Sequence, residues 1–379
     1  MNIKRKLFNE IYNQAQRGDK IVIVYGARQV GKTTLVQSIV DQSGVESLVI
    51  NADELTYHEI LSSRDSRQLR SLIEGYDLIF IDEAQRIENI GINLKIIHDT
   101  FPGLKVIVTG SSSFDIANKI VEPLTGRHAS YILYPLSLKE LSHGTNTVEL
   151  DRQIEEIMVY GAYPDVYTTR NSVQKEQQLK NITRSYLYKD ILELDNIKYS
   201  KILRNLTRLL AFQTGSEVSI HELAQILGIS STTVERYIDL LERSFVLFRL
   251  PAFARNLRKE ITKKDRIYFV DNGVRNAVID NFKPVQERDD AGKLWENLMI
   301  SERFKYLSYN QISRSSYYWR TYTGAKIDYI EEGGGKLYGF EFKFSQKKKA
   351  GRGYASFAGV YPDSEFQLVN RDSYRDFVL

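Results

Sequence analysis

The first residues of this sequence that could do chemistry lie in the stretch KIVIVYGARQVGKTTLVQSIV, between Gly26 and Thr33. This run fits the pattern G-x-x-x-x-G-K-[ST]. It follows an apolar, strand-like segment and precedes a segment with helical spacing, which is the context that the motif requires. Glycines in such a loop let backbone N–H groups close on phosphates, and the amino end of the following helix adds positive potential.

The pattern therefore predicts a nucleotide-binding loop. Lys32 would reach the β- and γ-phosphates and the Thr33 hydroxyl would ligate Mg²⁺, whereas Arg28 could equally be structural. The residues expected to bind the nucleotide are Gly26, Ala27, Arg28, Gln29, Val30, Gly31, Lys32, Thr33 and Thr34.

Two carboxylates follow a second buried strand, in YDLIFIDEAQRI. Ligands gather at the carboxyl edge of open α/β sheets, where these residues would lie. We expect Asp82 to hold Mg²⁺ through water and Glu83 to orient and activate the attacking water. A third apolar strand, LKVIVTGSSS, ends in hydroxyls at the same edge. Of these, Ser111 is the candidate sensor of the γ-phosphate.

These motifs resemble the AAA+ ATPases, in the branch whose phosphate loop reads G-x-R-Q-x-G-K-T-T. The sequence lacks an Asn-Lys-x-Asp motif for guanine, which favours ATP over GTP. In that branch a Gly-Arg pair precedes a strand, as Gly126 and Arg127 do here. The resemblance implies that Arg127 supplies positive charge to the γ-phosphate, in its own chain or as a finger from a neighbour. The alternative is an ordinary solvated arginine.

A second candidate site lies in KIDYIEEGGGKLYGFEFKFSQ, residues 326–346. A turn centred between Gly333 and Gly334 would pair Ile327 with Phe340 and Tyr329 with Tyr338. That register places the aromatic side chains on one face, since a slip of one residue would mix the faces. The other face would carry Asp328, Gly339, Glu341 and Lys343, with Gly339 leaving room for the carboxylates to converge.

Such a trio is what a metal-dependent phosphodiesterase needs, because carboxylates ligate Mg²⁺ and the metal stabilises charge on the phosphate. The arrangement resembles the PD-(D/E)xK nuclease superfamily, which implies metal ligation by Asp328 and Glu341 and catalysis by Glu341 and Lys343. Glu296, at the head of AGKLWENLMISERF, is the expected further acid ligand. The alternative is a solvent-facing strand with surface ion pairs. The basic run KFSQKKKAGRG could follow a nucleic-acid backbone or form a solvated loop.

The middle of the chain is predicted to be helical over 151–215 and a winged helix-turn-helix over 216–255. Ser219 and Glu222 open a short helix that Gly228 ends, and a second amphipathic helix follows. In DNA-binding versions of this motif the second helix presents its first residues to the major groove, here Ser231, Thr232, Thr233 and Arg236. That helix also carries Glu235, Asp239 and Glu242, so a rigid spacer or a protein contact is the alternative.

Composition sets outer limits on these interpretations. With 379 residues the chain is long enough for two or three domains, and the absence of cysteine excludes disulfides, thiol catalysis and Cys-ligated zinc. The net charge of +4 permits nucleic-acid binding without indicating it. The sequence has no apolar run of membrane-spanning length and no recognisable signal peptide, so we expect a cytoplasmic protein.

The chain from about residue 18 to 345 resembles a family of bacterial and archaeal ATPases that join an AAA+ domain to a winged helix and a restriction-nuclease-like domain. The expected fold is α/β: a P-loop AAA+ domain (1–150), a helical connector (151–215), a winged helix (216–255) and a nuclease-like domain (256–379). Members usually carry an acid just before the first core aspartate, where this chain has Lys326 and then Ile327.

Three functions remain open on the sequence. The first is an Mg²⁺-dependent ATPase that acts on DNA and positions a cutting domain. The second is a nucleotide-gated module that binds DNA or protein through an inactive nuclease fold, and the third is a protein-remodelling ATPase. Homo-oligomerisation is possible in each, because an arginine finger can come from a neighbouring subunit.

Overall fold

The computed structural model describes residues 3–111, 120–143, 145–184, 200–254, 264–321, 323–345, 351 and 353–379. The chain divides into two compact units: residues 2–134 with 243–245, and residues 135–242 with 246–379. The first unit ends earlier than the boundary predicted at residue 150. The second unit holds all three segments that the sequence divides at residues 215 and 255. The whole of the predicted helix at 185–196 and most of the basic run after Gln346 lie outside the described residues.

The N-terminal unit is built on a parallel five-stranded sheet in the order β2-β3-β4-β1-β5. Its strands are β1 (Ile21–Tyr25), β2 (Ser47–Asn51), β3 (Leu78–Asp82), β4 (Lys105–Gly110) and β5 (His128–Ile132). Strands β1, β3 and β4 are apolar and buried along almost their whole length, as expected when helices cover both faces of a parallel sheet. The helices are α1 (Phe8–Arg17), α2 (Lys32–Ser43), α3 (His58–Ser62), α4 (Ser66–Ile73) and α5 (Ile90–Thr100). The strand–loop–helix order predicted around the glycine loop is therefore confirmed.

The C-terminal unit begins with helices and ends with a mixed sheet. Its helices are α6 (Leu138–Ser142), α7 (Thr147–Tyr160), α8 (Pro164–Thr168), α9 (Ser172–Ile182), α10 (Ser200–Phe212), α11 (Ile220–Leu227), α12 (Ser231–Arg243), α13 (Asn272–Ile279), α14 (Ala291–Tyr309), α15 (Gly353–Val360) and α16 (Tyr374–Val378). Its strands are β6 (Leu247–Leu250), β7 (Arg266–Phe269), β8 (Ser315–Arg320), β9 (Lys326–Gly333), β10 (Lys336–Phe342) and β11 (Glu365–Val369). Among the described residues no helix has the length and apolar content needed to cross a membrane.

The mixed sheet has the order β11-β10-β9-β8, in which β10 pairs antiparallel with β9 and parallel with β11. A parallel neighbour needs a crossover connection, and the segment with α15 provides it. On one side of the sheet, Phe253, Trp319, Ile327, Ile330, Phe357 and Tyr361 form a buried apolar cluster. On the other, Tyr329, Phe340, Phe342 and Phe377 pack ring against ring.

Two segments of this unit, YGAYP and VDNGVRN, pack against each other. Gly161 has φ 69°, and a side chain there would meet the Asp271 carboxylate at 2.0 Å. Asp271 accepts hydrogen bonds from the backbone N–H groups of Ala162 and Val274, and so caps α13. Asn276 donates to the carbonyls of Met158 and Val159. These buried polar residues therefore join α13 to the end of α7.

The predicted helix-turn-helix elements form as helices α11 and α12. The Ser219 side chain accepts from the Glu222 N–H, and Gly228 ends α11 in the left-handed conformation with φ 67°. Strand β6 then pairs antiparallel with β7, so that Leu247 lies opposite Phe269. The predicted boundary at residue 255 therefore falls between two strands of one ladder.

The hairpin at residues 326–342 differs from its predicted register by two residues. Tyr329 pairs with Phe340 and Glu331 with Tyr338, and the turn residues are Gly334 and Gly335, with φ 61° and 77°. The run of three glycines accommodates either turn, so the sequence alone does not fix its position.

A β-bulge between Tyr317 and Trp319 changes which residues of β9 share a face. Ile327 lies on the side of Gly339, where a side chain on the glycine would approach Ile327 at 3.5 Å and Phe357 at 3.4 Å. The prediction that Ile327 lies beside Tyr329 is therefore wrong. The space beside Gly339 is filled by the Phe357 ring, and carboxylates do not converge there.

Candidate nucleotide site

The glycine loop connects β1 to α2 along a path that ordinary residues adopt with difficulty. Gly26 has φ 152°, and a side chain there would lie 2.1 Å from the Leu133 carbonyl oxygen. Gln29 and Gly31 also have positive φ angles, 61° and 91°. Only glycine fits at position 26, because the chain that leaves β5 passes directly beside it at Leu133.

Lys32 is the first residue of α2, and its side chain folds back into the loop. Its Nζ donates to the carbonyl oxygens of Gly26 and Ala27 at 3.1 and 2.9 Å, and the residue is 5% exposed. Burial lowers the pKa of Lys32, while the nearby carboxylates of Glu83 and Asp82 raise it. The ammonium is thus held inside the loop, where a phosphate group would meet it.

Asp82, at the end of β3, is hydrogen-bonded to two hydroxyl groups. Thr33 donates to its Oδ2 at 2.8 Å, and Thr109 donates to its Oδ1. Mg²⁺ prefers hard oxygen ligands and usually keeps several waters beside one or two protein groups and substrate phosphates. The adjacent hydroxyl of Thr33 and carboxylate of Asp82 fit that requirement.

Glu83 adopts a left-handed backbone conformation, with φ 53°, which is uncommon outside glycine and often occurs at functional sites. Its N–H donates to Thr109 Oγ1 at 3.1 Å. Its carboxylate accepts from Gln85 Nε2 at 2.6 Å, and the same amide group lies 3.3 Å from Ser111 Oγ. The structure therefore brings Glu83 and Ser111 together through Gln85.

Gln85 and Thr109 have no role in the sequence predictions. Gln85 follows the predicted acid pair by two residues, and Thr109 lies two residues before the predicted Ser111. Both are buried, at 8% and 0% exposure. A buried polar side chain needs hydrogen-bond partners. The positions of Gln85 and Thr109, close in sequence to the predicted acids and hydroxyls, were therefore the available indication that they belong to the site.

Arg127 is not brought to the phosphate loop of its own chain. It directly precedes β5, and Ile21 at the start of β1 pairs with His128, so Arg127 lies at the amino edge of the sheet. The phosphate loop follows the opposite, carboxyl edge of β1. Arg127 donates to Asp99 at 2.8 Å. The prediction that it acts in its own chain is wrong; its action on a neighbouring subunit stays a prediction.

Arg5 is a further residue at the loop that the sequence did not suggest. Its guanidinium donates to the carbonyls of Val30 and Tyr134, each at 2.6 Å, and the residue is 9% exposed. It therefore fixes the back of the glycine loop to the chain that leaves β5. An arginine in a basic N-terminal run gives no sequence signal for such a contact.

In the C-terminal unit, Asp328 and Glu296 lie on either side of Arg266. Arg266 Nη1 is 3.8 Å from Glu296 Oε1 and 3.9 Å from Asp328 Oδ1, and Lys326 Nζ is 3.1 Å from the same Asp328 oxygen. Burial raises the pKa of Glu296 to about 7; the Asp328 carboxylate raises it as well, and Arg266 opposes both. Tyr268 donates to Glu296 at 2.6 Å.

Glu341 and Lys343 form a separate ion pair. Lys343 Nζ lies 2.6 Å from Glu341 Oε1, and the Gly351 N–H donates to Glu341 Oε2 at 2.8 Å. Within the described ranges no group of three or more acidic or histidine side chains is placed to hold a metal ion. The structure therefore does not bring Glu296, Asp328 and Glu341 together as the three predicted metal ligands, and each of these carboxylates lies within 4 Å of a basic side chain.

Helix α12 presents part of its predicted face to solvent. Ser231, Thr232 and Arg236 are exposed, and so is Glu235. The Thr233 hydroxyl is hydrogen-bonded to Ser230 at 2.8 Å, at the start of the helix. The exposed face thus carries both signs of charge, and groove contact by these residues stays a prediction.

Three segments of the chain match known protein families. Residues 18–142 match the family described as an AAA domain. Residues 151–315 match a domain of unknown function (DUF8612), and residues 291–379 match another (DUF4143). The AAA-domain match covers most of the N-terminal unit, and it includes the glycine loop and the two carboxylates at the carboxyl edge of the sheet.

Similar proteins come from distant organisms. An uncharacterized protein of Mycobacterium tuberculosis, Rv2008c, is 27% identical over 327 residues, covering 85% of this chain and 70% of the relative. An uncharacterized protein of Methanocaldococcus jannaschii, MJ1544, is 25% identical over 321 residues, covering 79% and 70%.

Among solved structures, the Walker-type ATPase PABY2304 of Pyrococcus abyssi aligns with a TM-score of 0.49 and 14% identity, covering 73% of this chain and 96% of that one. AMPPCP-bound DnaA from Aquifex aeolicus aligns with a TM-score of 0.30 and 18% identity, covering 62% and 86%. The RuvB Holliday junction branch migration motor of Thermotoga maritima aligns with a TM-score of 0.33 and 17% identity, covering 69% and 95%.

Proposed function

We propose that the N-terminal unit binds and hydrolyses ATP with Mg²⁺. The observation that carries this proposal is the grouping of an ammonium, a hydroxyl and two carboxylates at one edge of a parallel sheet: Lys32, Thr33, Asp82 and Glu83. Phosphoryl transfer needs positioning and charge stabilisation more than covalent catalysis, and these groups provide both.

In this mechanism the loop N–H groups and Lys32 bind the phosphates. Thr33 and Asp82 would hold Mg²⁺, and the ion would supply positive charge beside the phosphate oxygens when bound. Glu83 accepts a proton from the attacking water, and Gln85 keeps its carboxylate oriented through the 2.6 Å hydrogen bond. Ser111, joined to the same amide group, would respond to the γ-phosphate.

Substitution of Lys32 tests the nucleotide site directly. We expect Lys32→Ala to weaken Mg²⁺-ATP binding by roughly tenfold or more, because the phosphates lose a charge-assisted partner. Isothermal titration of the full chain with ATP and Mg²⁺ measures this effect. Lys20→Ala is the matched control, since Lys20 is exposed and directly precedes β1. Absence of ATP binding by the unsubstituted chain would refute the proposed function.

We also propose that the nucleotide state of this unit controls a binding module in the C-terminal unit. The succession of α11, α12 and the β6–β7 ladder supports a winged helix-turn-helix. DNA is the first partner to test for such a motif. The mixed sheet with its acidic hairpin supports the likeness to a nuclease fold. The alternative partner is a protein, which the acidic residues on α12 would tolerate.

Salt dependence separates these partners. If α12 contacts DNA, retention of a duplex by the protein should fall steeply with salt, because neutralised phosphates release counterions. Arg236→Ala should reduce the slope of log K against log salt by about one, and Arg170→Ala, also exposed, is the control. DNA retention that neither falls with salt nor changes in Arg236→Ala would argue against DNA contact by α12. Absence of both retention and DNA-stimulated ATP turnover would favour a protein partner.

A further inference from the structure

We propose that the acidic cluster of the C-terminal unit is neutralised by its own side-chain cations and excludes divalent metal, with Arg266 standing where a metal ion would bind. The cluster consists of Glu296, Asp328 and Arg266, with Lys326 at its edge. This inference concerns a unit other than the one that carries the proposed ATPase, so either can fail without the other.

The position of Arg266 is the first observation. A single atom, Nη1, lies within 4 Å of a carboxylate oxygen of both Glu296 and Asp328, at 3.8 and 3.9 Å. The guanidinium also lies over the Tyr318 ring, 4.3 Å from its centroid. Arg266 is 5% exposed, and its Nε and Nη1 have no hydrogen-bond partner among the described residues. The arginine is therefore held as an ion between two acids and against an aromatic face.

Charge balance is the second observation. Asp328 has a second cation, Lys326, at 3.1 Å, and Glu341 has Lys343 at 2.6 Å. Each acid of the predicted site thus lies beside at least one basic side chain. A buried carboxylate without a cation is costly, and a metal ion is one way to remove that cost. Here the chain supplies cations of its own: Arg266 and Lys326 lie within 4 Å of Asp328 Oδ1, a buried oxygen that makes no hydrogen bond with a described residue.

The other contacts of the acids point the same way. Asp328 Oδ2 lies 3.3 Å from the Phe342 N–H, Glu296 Oε1 accepts from Tyr268, and Glu341 Oε2 accepts from Gly351. A dication placed between Glu296 and Asp328 would meet the guanidinium at close range and be repelled. The cluster therefore joins β7, β9 and α14 by ionic contacts, and the proposal implies that this unit does not cleave DNA through these acids.

Removal of Arg266 should create the metal site that the wild-type chain lacks. The experiment titrates the full chain with Mn²⁺ and measures free ion by electron paramagnetic resonance, without nucleotide. All proteins carry Asp82→Asn, so that the N-terminal carboxylate does not contribute. We expect Arg266→Ala to bind one additional Mn²⁺, with an affinity roughly 10–100-fold higher than any binding by the parent at this cluster. Adding Asp328→Asn should abolish the gain.

A second variant covers the case in which Arg266→Ala does not fold, which circular dichroism would reveal. Lys326→Glu replaces a half-exposed side chain, 53% accessible, and removes the outer cation while adding an acid. It should raise Mn²⁺ affinity in the same Asp328-dependent way, but by less. Mn²⁺ binding by the parent that is lost in Asp328→Asn would overturn the proposal. Folded variants that gain no Mn²⁺ affinity would do so as well.

Discussion

Replacing Glu83 by glutamine is expected to lower kcat for ATP hydrolysis by roughly 10²–10⁴-fold while leaving ATP affinity nearly unchanged. The substitution keeps the size of the side chain and its backbone setting, but an amide cannot accept the proton of the attacking water. Thr33, Asp82 and Lys32, which would hold the nucleotide and its metal, are untouched. Phosphate release under saturating ATP measures kcat, and isothermal titration measures binding.

Glu88→Gln is the control for this experiment, because Glu88 is an exposed glutamate five residues further along. Gln85→Ala should show an intermediate result: a fall in kcat with KM unchanged, as expected of a residue that orients Glu83 and does not bind substrate. If Glu83→Gln keeps kcat within a few-fold of the parent, Glu83 is not the base and the assignment fails.

A second large effect is expected at Glu331, which is fully buried between two arginines. Arg303 donates to both of its oxygens, at 2.5 and 3.0 Å, and Arg314 donates at 2.6 Å. Glu331→Ala would leave the largely buried Arg303 without its partner. Removing one member of a buried pair typically costs about 3–5 kcal/mol, so the unfolding transition of the C-terminal unit should move to clearly lower urea concentration.

Glu332, the next residue along the chain, is the control for the stability lost in Glu331→Ala. Glu332 is on the same strand, exposed to solvent, and Glu332→Ala should shift the transition little. Urea titration followed by circular dichroism records both variants. Equal shifts for the two substitutions would mean that the Arg303–Glu331–Arg314 cluster contributes no more to stability than a surface charge.

The elements around the candidate nucleotide site could be predicted because each is specified locally. An apolar strand, a glycine loop and a helix occupy one short stretch, and Asp82 and Glu83 directly follow another apolar strand. The opposite location of Arg127 could also have been inferred. A strand that runs parallel to β1 places the residue before it at the amino edge, away from the loop.

The carboxylate cluster of the C-terminal unit could not be predicted in this way, because its members are far apart in the sequence. Asp328 and Glu296 were singled out, but their cation Arg266 lies 30 residues before one and 62 before the other. No periodicity joins an arginine on β7 to acids on α14 and β9. The sequence also gives no indication of the bulge beside Trp319, which decides on which face of the sheet Ile327 lies.

The strand order of the N-terminal sheet has a consequence for synthesis of the chain. Strand β1 is made first, yet its neighbours are β4 and β5; Val22 pairs with Ile107 and Ala129. At roughly 5–20 residues per second, the ribosome leaves the apolar segment IVIVY without a partner strand for several seconds. Unpaired apolar strands are sites of aggregation. This buried strand of the N-terminal unit is thus the one that a nascent-chain chaperone would need to protect longest.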